Sequence, residues 1–137
     1  MKKLSGILIV TVALTLSGCS LLEEANDSLD YATDVTEYIN ELNTFAEEAP
    51  SLEGAELKSE LETLTADIED FMEIEPPSIA EDIHKELEDK SQKLLHTTNN
   101  ILEDGEVAIE QLKQSEIYTT IENISELKTQ IEELGFE

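Results

Sequence analysis

The chain has no tryptophan and no arginine, one cysteine, two histidines and three prolines in 137 residues. Each shortage excludes something. With Cys19 alone, no intramolecular disulfide can form, so the folded state has to rest on packing. With eight lysines as the only permanent cations against 33 aspartates and glutamates, the formal charge is -25. Such a chain repels phosphate backbones, and nucleic-acid binding is excluded as a function class. It repels anionic headgroups too, so the body stands off a membrane rather than lying on it. No glycine-rich phosphate loop and no Gly-x-Ser-x-Gly turn is present. A long hydrophobic run is missing as well. Ile7 to Leu16, broken only by Thr11 and Thr15, is ten residues, about half of the ~20 needed to span a bilayer as a permanent helix.

What that short run does have is an address. Lys2 and Lys3 precede it and small Ser17 and Gly18 follow it, the layout of a secretory signal. The lone cysteine comes next, and Leu16-Ser17-Gly18-Cys19 resembles the lipobox of bacterial lipoproteins. That resemblance implies cleavage between Gly18 and Cys19, with a diacylglycerol carried on the Cys19 sulfur as a thioether. The plainer alternative is a secreted protein with an unused thiol. A single acyl chain holds a protein weakly, whereas two anchor it stably, at about 0.8 kcal/mol per buried methylene. The expected organisation is residues 1–18 as signal peptide, 19–27 as lipidated cysteine and short tether, and 28–137 as one domain.

Loss of residues 1–18 leaves 119, enough for one modest core. All 33 acids remain but only six lysines, so the mature charge is near -27. High charge favours disorder where apolar residues are scarce; here they are plentiful and regularly spaced. Leu22, Ala25, Leu29, Ala32, Ile39, Leu42 and Ala46, widened by Val35 and Phe45, mark one helix face ended by Pro50. Leu57, Leu61, Leu64, Ile68 and Phe71 form a second stripe, two apolar positions per seven, closed by Pro76-Pro77. Ser78-Ile79-Ala80-Glu81 reads as a capping box. It opens a third helix carrying Ile79, Ile83, Leu87, Leu94, Ile101 and Leu102 and stopped at Gly105, with Lys90 and Thr98 weakening its middle. Glu106 to Gln114, with Val107, Ile109 and Leu112, is a short helix or turn. Ser115 then caps a last helix with Ile117, Ile121, Ile124, Leu127 or Lys128, Ile131 and Leu134, before Gly135 and Phe136. The expected fold class is all-α, a small and mainly antiparallel bundle of about four helices.

The candidate chemistry is thin. Glu81-x-x-His84 has the spacing of a di-iron ligand pair, but His96 has Lys93 three residues before it, so the second pair is missing. Surface histidines are the plainer reading, and no metal or cofactor is expected. Glu103-Asp104-Gly105-Glu106 resembles part of a calcium loop, yet Gln111 stands where that loop needs glutamate. No nucleophile has an evident base, so an enzyme is not expected. An envelope hydrolase would need a concave pocket with displaced carboxyl pKa values. Tyr31 and Tyr38, seven apart, and Tyr118 fit core or rim packing, or a partner groove.

At Tyr31 to Glu41 (YATDVTEYINE), Pro76 to His84 (PPSIAEDIH) and Ile131 to Gly135 (IEELG) the chain resembles a family of small Gram-positive lipoproteins. The resemblance implies a helical body on the outer face of the cell membrane and assigns no activity. The expectation is therefore a membrane-anchored binding or interaction module with an envelope protein as partner. The alternative is a cation- or small-solute-binding lipoprotein using acid-lined grooves between helices.

Overall fold

Pattern and breakers place the helices much as the stripes require. The computed structural model describes the backbone of residues 17–104 and 109–134, with side chains from residue 23 onward apart from Ile109. The signal residues 1–16, the side chains of Ser17, Cys19 and Leu22, and the readings placed on Gly105, Glu106, Val107, Ile109, Gly135 and Phe136 lie outside this description. Helix α1 runs Ser17–Glu48 and passes into a 3₁₀ turn, Ala49–Ser51, at Pro50. Helix α2 spans Gly54–Met72, and a second 3₁₀ turn, Ser78–Ala80, follows Pro76-Pro77. Helices α3 (Glu81–Glu103), α4 (Ile109–Gln114), α5 (Ile117–Ser125) and α6 (Lys128–Leu134) complete the chain. No described residue is in a strand, so the fold is an all-α bundle.

Helix α1 packs against α2, α5 and α6, while α3 packs against α2 and α5. Thus α1 and α3 lie diagonally across the bundle, as do α2 and the α5–α6 pair. Cross-helix partners give the directions. Tyr31 meets His84 and Tyr38 meets Ser91, both 53 residues on, so α1 and α3 are parallel. Asn43 meets Ser125 and Asn40 meets Lys128, so α1 and α5–α6 are antiparallel. Tyr38 stacks on Phe71 near the far end of α2, while Phe45 shares a groove with Leu64; those two helices are also antiparallel.

The second stripe is realised in full: Leu57, Leu61, Leu64, Ile68 and Phe71 are all buried. On α1 the buried face is rolled from the expected one. Tyr31, Ala32, Val35, Tyr38, Ile39, Leu42 and Phe45 point inward, while Leu29 is 47% exposed and Ala25 is exposed. The roll lets α1 present two aromatic rings, whose bulk fills more of the centre than Ala25 and Leu29 would. On α3 the buried line is His84, Leu87, Ser91, Leu94, Thr98 and Ile101, spaced by threes and fours, with Ile79 left 49% exposed. Its seam is therefore continuous, with small polar residues standing in for apolar ones.

Three local expectations are corrected. Residues 19–27, read as a tether, are helical backbone within α1, because nothing between Cys19 and Pro50 breaks a helix. The capping box does not form. Ser78 belongs to the 3₁₀ turn, in which the Ala80 amide donates to the Pro77 carbonyl at 2.9 Å, and neither that turn nor α3 has a side-chain cap. Glu81 and Asp82 instead sit in the first turn of α3, where their charge complements the helix dipole. The last helix is broken at Glu126-Leu127. Ser125 Oγ lies 2.9 Å from the Ile121 carbonyl and 2.7 Å from Asn43 Oδ1, tying the end of α5 to α1. Leu127 is buried at the break, which settles the choice between it and Lys128.

Gly54 opens α2 with φ of +56°, and a β-carbon there would meet nothing within 4 Å. Any cost of Gly54→Ala is thus backbone strain alone. Denaturant melts should show a loss of about 1–2 kcal/mol, with no change in helix content.

Candidate functional site

The core is tied across its diagonal by two polar pairs, one heptad apart on both helices. Tyr38 Oη and Ser91 Oγ are 2.8 Å apart, and Tyr31 Oη and His84 Nδ1 are 3.1 Å apart. Phe71 of α2 lies against both: its ring is stacked on Tyr38 with centroids 4.4 Å apart, and tilted against His84 at 5.2 Å. The same 53-residue offset pairs Phe45 in register with Thr98, both buried. Phenylalanine has no hydroxyl, and Thr98 Oγ1 turns to its own helix, donating to the Leu94 carbonyl at 2.8 Å. Two aromatic hydroxyls therefore find two polar partners, and the third position is closed locally. A buried hydrogen bond contributes only about 1 kcal/mol net, but an orphaned partner costs about 1–3 kcal/mol. The pairs consequently fix the register of α1 against α3 more strongly than they stabilise it.

His84 is thus a core residue, and its expected place on the surface is corrected. A valine or leucine at this position would leave the Tyr31 hydroxyl without its partner. Burial pushes the imidazole below its ordinary 6.5, and nearby Glu88 only partly offsets that. Neutral His84 can accept the Tyr31 proton at Nδ1. Burial also pushes both tyrosine hydroxyls upward, Tyr38 against the opposing pull of its Ser91 hydrogen bond, so they stay protonated. A histidine with a lowered folded pKa stabilises fully above 6.5 and loses that contribution as pH falls through the folded value. Stability should therefore decline on acidification below about pH 6.5. His84→Gln keeps a polar partner for Tyr31 and cannot titrate. Urea melts of both proteins should show that slope in the parent and its loss in the variant.

Carboxylates converge on the opposite seam. Glu41 of α1 and Glu60 and Asp67 of α2 line a groove of about 260 Å³ floored by Phe45 and Leu64. Partial burial raises the pKa of Glu41, and Asp67, Glu37 and Asp70 add to it. Asp67 is raised by burial and then by Asp70 and Glu60. Groups raised in this way stabilise the fold when protonated and lose that contribution as pH rises. Their effect on stability therefore runs in the sense opposite to that of His84. A second acid-lined groove, of about 440 Å³, sets Asp27, Asp30 and Asp34 of α1 against Glu75-Pro76-Pro77. Lysine relief is sparse: among the described residues only Lys93–Glu116, at 3.0 Å, joins one element to another, the other pairs being one turn apart.

The remaining residues singled out by the sequence are scattered. His96 is exposed beside Asn100 at 3.3 Å, three helical turns from His84. Asp104 accepts from Gln111 Nε2 at 2.7 Å, so Gln111 closes a local turn. Ser115 Oγ accepts from the Ile117 amide at 3.3 Å, but Glu116 holds the cap position of α5 and no side chain caps that helix, so the cap expected from Ser115 does not form. The Tyr118 hydroxyl is buried without a hydrogen-bond partner among the described residues. No three His, Cys, Asp or Glu side chains among the described residues are grouped to hold a metal ion. No described helix is long and apolar enough to cross a membrane. The stripe already ran through Thr98, but it put Lys90 rather than Ser91 in the core. The place of Ser91, seven residues from both His84 and Thr98, was the available signal.

A groove of about 350 Å³ also runs between α1 and α6, with Leu29, Ala32, Thr33 and Thr36 on one side and Glu132 on the other. Cys19 begins the third residue of α1, which continues unbroken into this wall.

The model of a family of unknown function, DUF6376, matches residues 31–134. The chain is also 32% identical, over 147 aligned positions, to a protein of Bacillus subtilis (strain 168) described as an uncharacterized lipoprotein, YybP. That alignment covers 98% of this chain and 99% of the relative. No solved structure matches the chain.

Proposed function

This chain belongs to the DUF6376 family, and from that premise we propose that it is a lipoprotein anchored through Cys19 to the outer face of the plasma membrane, whose helical body binds an envelope protein. The observation that carries the anchor is the alignment with a lipoprotein over 98% of the chain. It takes in nearly all of the N-terminal address as well as the bundle. A diacylglyceryl thioether on Cys19 would then continue directly into α1, so lipid and body form one lever rather than two parts joined by a flexible tether.

Binding is favoured over catalysis by how the polar groups are used. His84, the histidine with a displaced pKa, has Nδ1 committed to Tyr31 inside the core. The grooves are walled mainly by carboxylates and apolar side chains, which suits recognition of a cationic surface. Affinity purification of the full-length protein from solubilised envelope should recover the same protein partner in repeated preparations. Recovery of none would count against the reading.

The Glu41–Asp67 seam favours a second reading, the binding of cations or small cationic solutes. Like charges held together, with their pKa values raised, would be relieved by a cation. Titration calorimetry with calcium, magnesium and polyamines separates the two. Heat that vanishes in moderate salt reports diffuse screening only.

A further inference from the structure

We propose that the groove between α1 and α6 is the docking surface, and that its occupant is a basic amphipathic helix from the membrane-near part of a partner protein. This rests on the interaction reading above and names its site.

The groove is the place where the rolled face of α1 leaves apolar surface uncovered. Leu29 is 47% exposed beside the buried methyl of Ala32. Thr33 Oγ1 donates to the Leu29 carbonyl at 2.9 Å, which leaves its methyl as the group free for contact. From Leu29 to Asn40 the wall is twelve residues, eleven helical steps of about 16 Å or three turns. That length matches a short helix laid along it, an established mode of groove recognition.

Charge selects among occupants. Glu37 and Glu132 flank the apolar strip. The one lysine at its far end, Lys128, is held by Asn40 at 2.9 Å and lies 3.8 Å from Glu132. A second copy of this chain, equally acidic, would be repelled, and so would an anionic bilayer. A helix with leucine-like residues on one face and lysine or arginine beside them meets both the strip and its rim. Position narrows the choice further. Leu29 lies ten residues along α1 from Cys19, about 15 Å from the lipid attachment. The partner helix therefore sits close to the membrane surface.

The test uses the full-length lipidated protein in nanodiscs of zwitterionic lipid, with empty nanodiscs as reference. The probe is a fluorescent peptide of about 18 residues, leucine on one helical face and lysine on the other; a matched peptide carries glutamate for lysine. In physiological salt the lysine peptide should bind and the glutamate peptide should not. Leu29→Glu should weaken binding by about tenfold or more, whereas Gln92→Glu, an equal charge change on the exposed surface of α3, should alter it by about twofold at most. Leu29 is partly exposed, so circular dichroism of both variants should match the parent. Equal weakening by the two variants, or no binding by the parent, overturns the groove assignment. Envelope purification reads an interaction through any face, so a partner recovered there while the peptide fails to discriminate leaves the interaction reading standing and removes only this site.

Discussion

Phe71→Ala should cost about 3–5 kcal/mol, a large part of the 5–15 kcal/mol typical of a domain. The ring is 1% exposed, stacked on Tyr38 at 4.4 Å and tilted against His84 at 5.2 Å. Truncation removes buried apolar area and leaves a hole that rigid neighbouring helices fill only partly. It also removes the support of both rings that carry the cross-core hydrogen bonds. Thermal unfolding followed by circular dichroism should show a fall in Tm on the order of 10–20 °C. Leu29→Ala deletes a similar apolar side chain from a site that is 47% exposed and should change stability by about 0.5 kcal/mol or less. Equal effects at the two positions would mean that α1 is not rolled as described.

Cys19→Ala should abolish lipid attachment outright. The sulfur is the single nucleophilic thiol in the chain, and an alanine cannot form the thioether. On the proposed anchor, two acyl chains would supply most of the membrane affinity, at about 0.8 kcal/mol per buried methylene. Metabolic labelling with an alkyne fatty acid should therefore mark the parent and leave the variant at background. The fold should not respond, because the described core begins at Ser28, nine residues further along α1. Label retained by the variant would place the lipid elsewhere.

The sequence made the architecture readable and the centre unreadable, for one physical reason. Five apolar residues at strict heptad spacing fix the face of α2 with no competing phase, and Pro50 and Pro76-Pro77 fix its neighbours' ends. On α1, two faces compete. Ala25 and Leu29 score as apolar while Tyr31 and Tyr38 carry hydroxyls, so periodicity alone rotates the stripe the wrong way. What turns it back is pairing with His84 and Ser91, 53 residues distant, which no local pattern encodes. The capping box at Ser78 and the unbroken last helix failed for a related reason: packing of Ala80 and Leu127 into the core overrode local hydrogen-bond preferences. The Glu41–Asp67 seam was hidden among 33 acids until two helices brought its members together.

The anchor is tested most directly by mass spectrometry of the N-terminal peptide from protein extracted out of its own membrane. The account predicts a peptide beginning at Cys19, with residues 1–18 gone and the mass of a diacylglyceryl group on the sulfur. A peptide that begins at Met1, or one that begins at Cys19 with a free thiol, would contradict it.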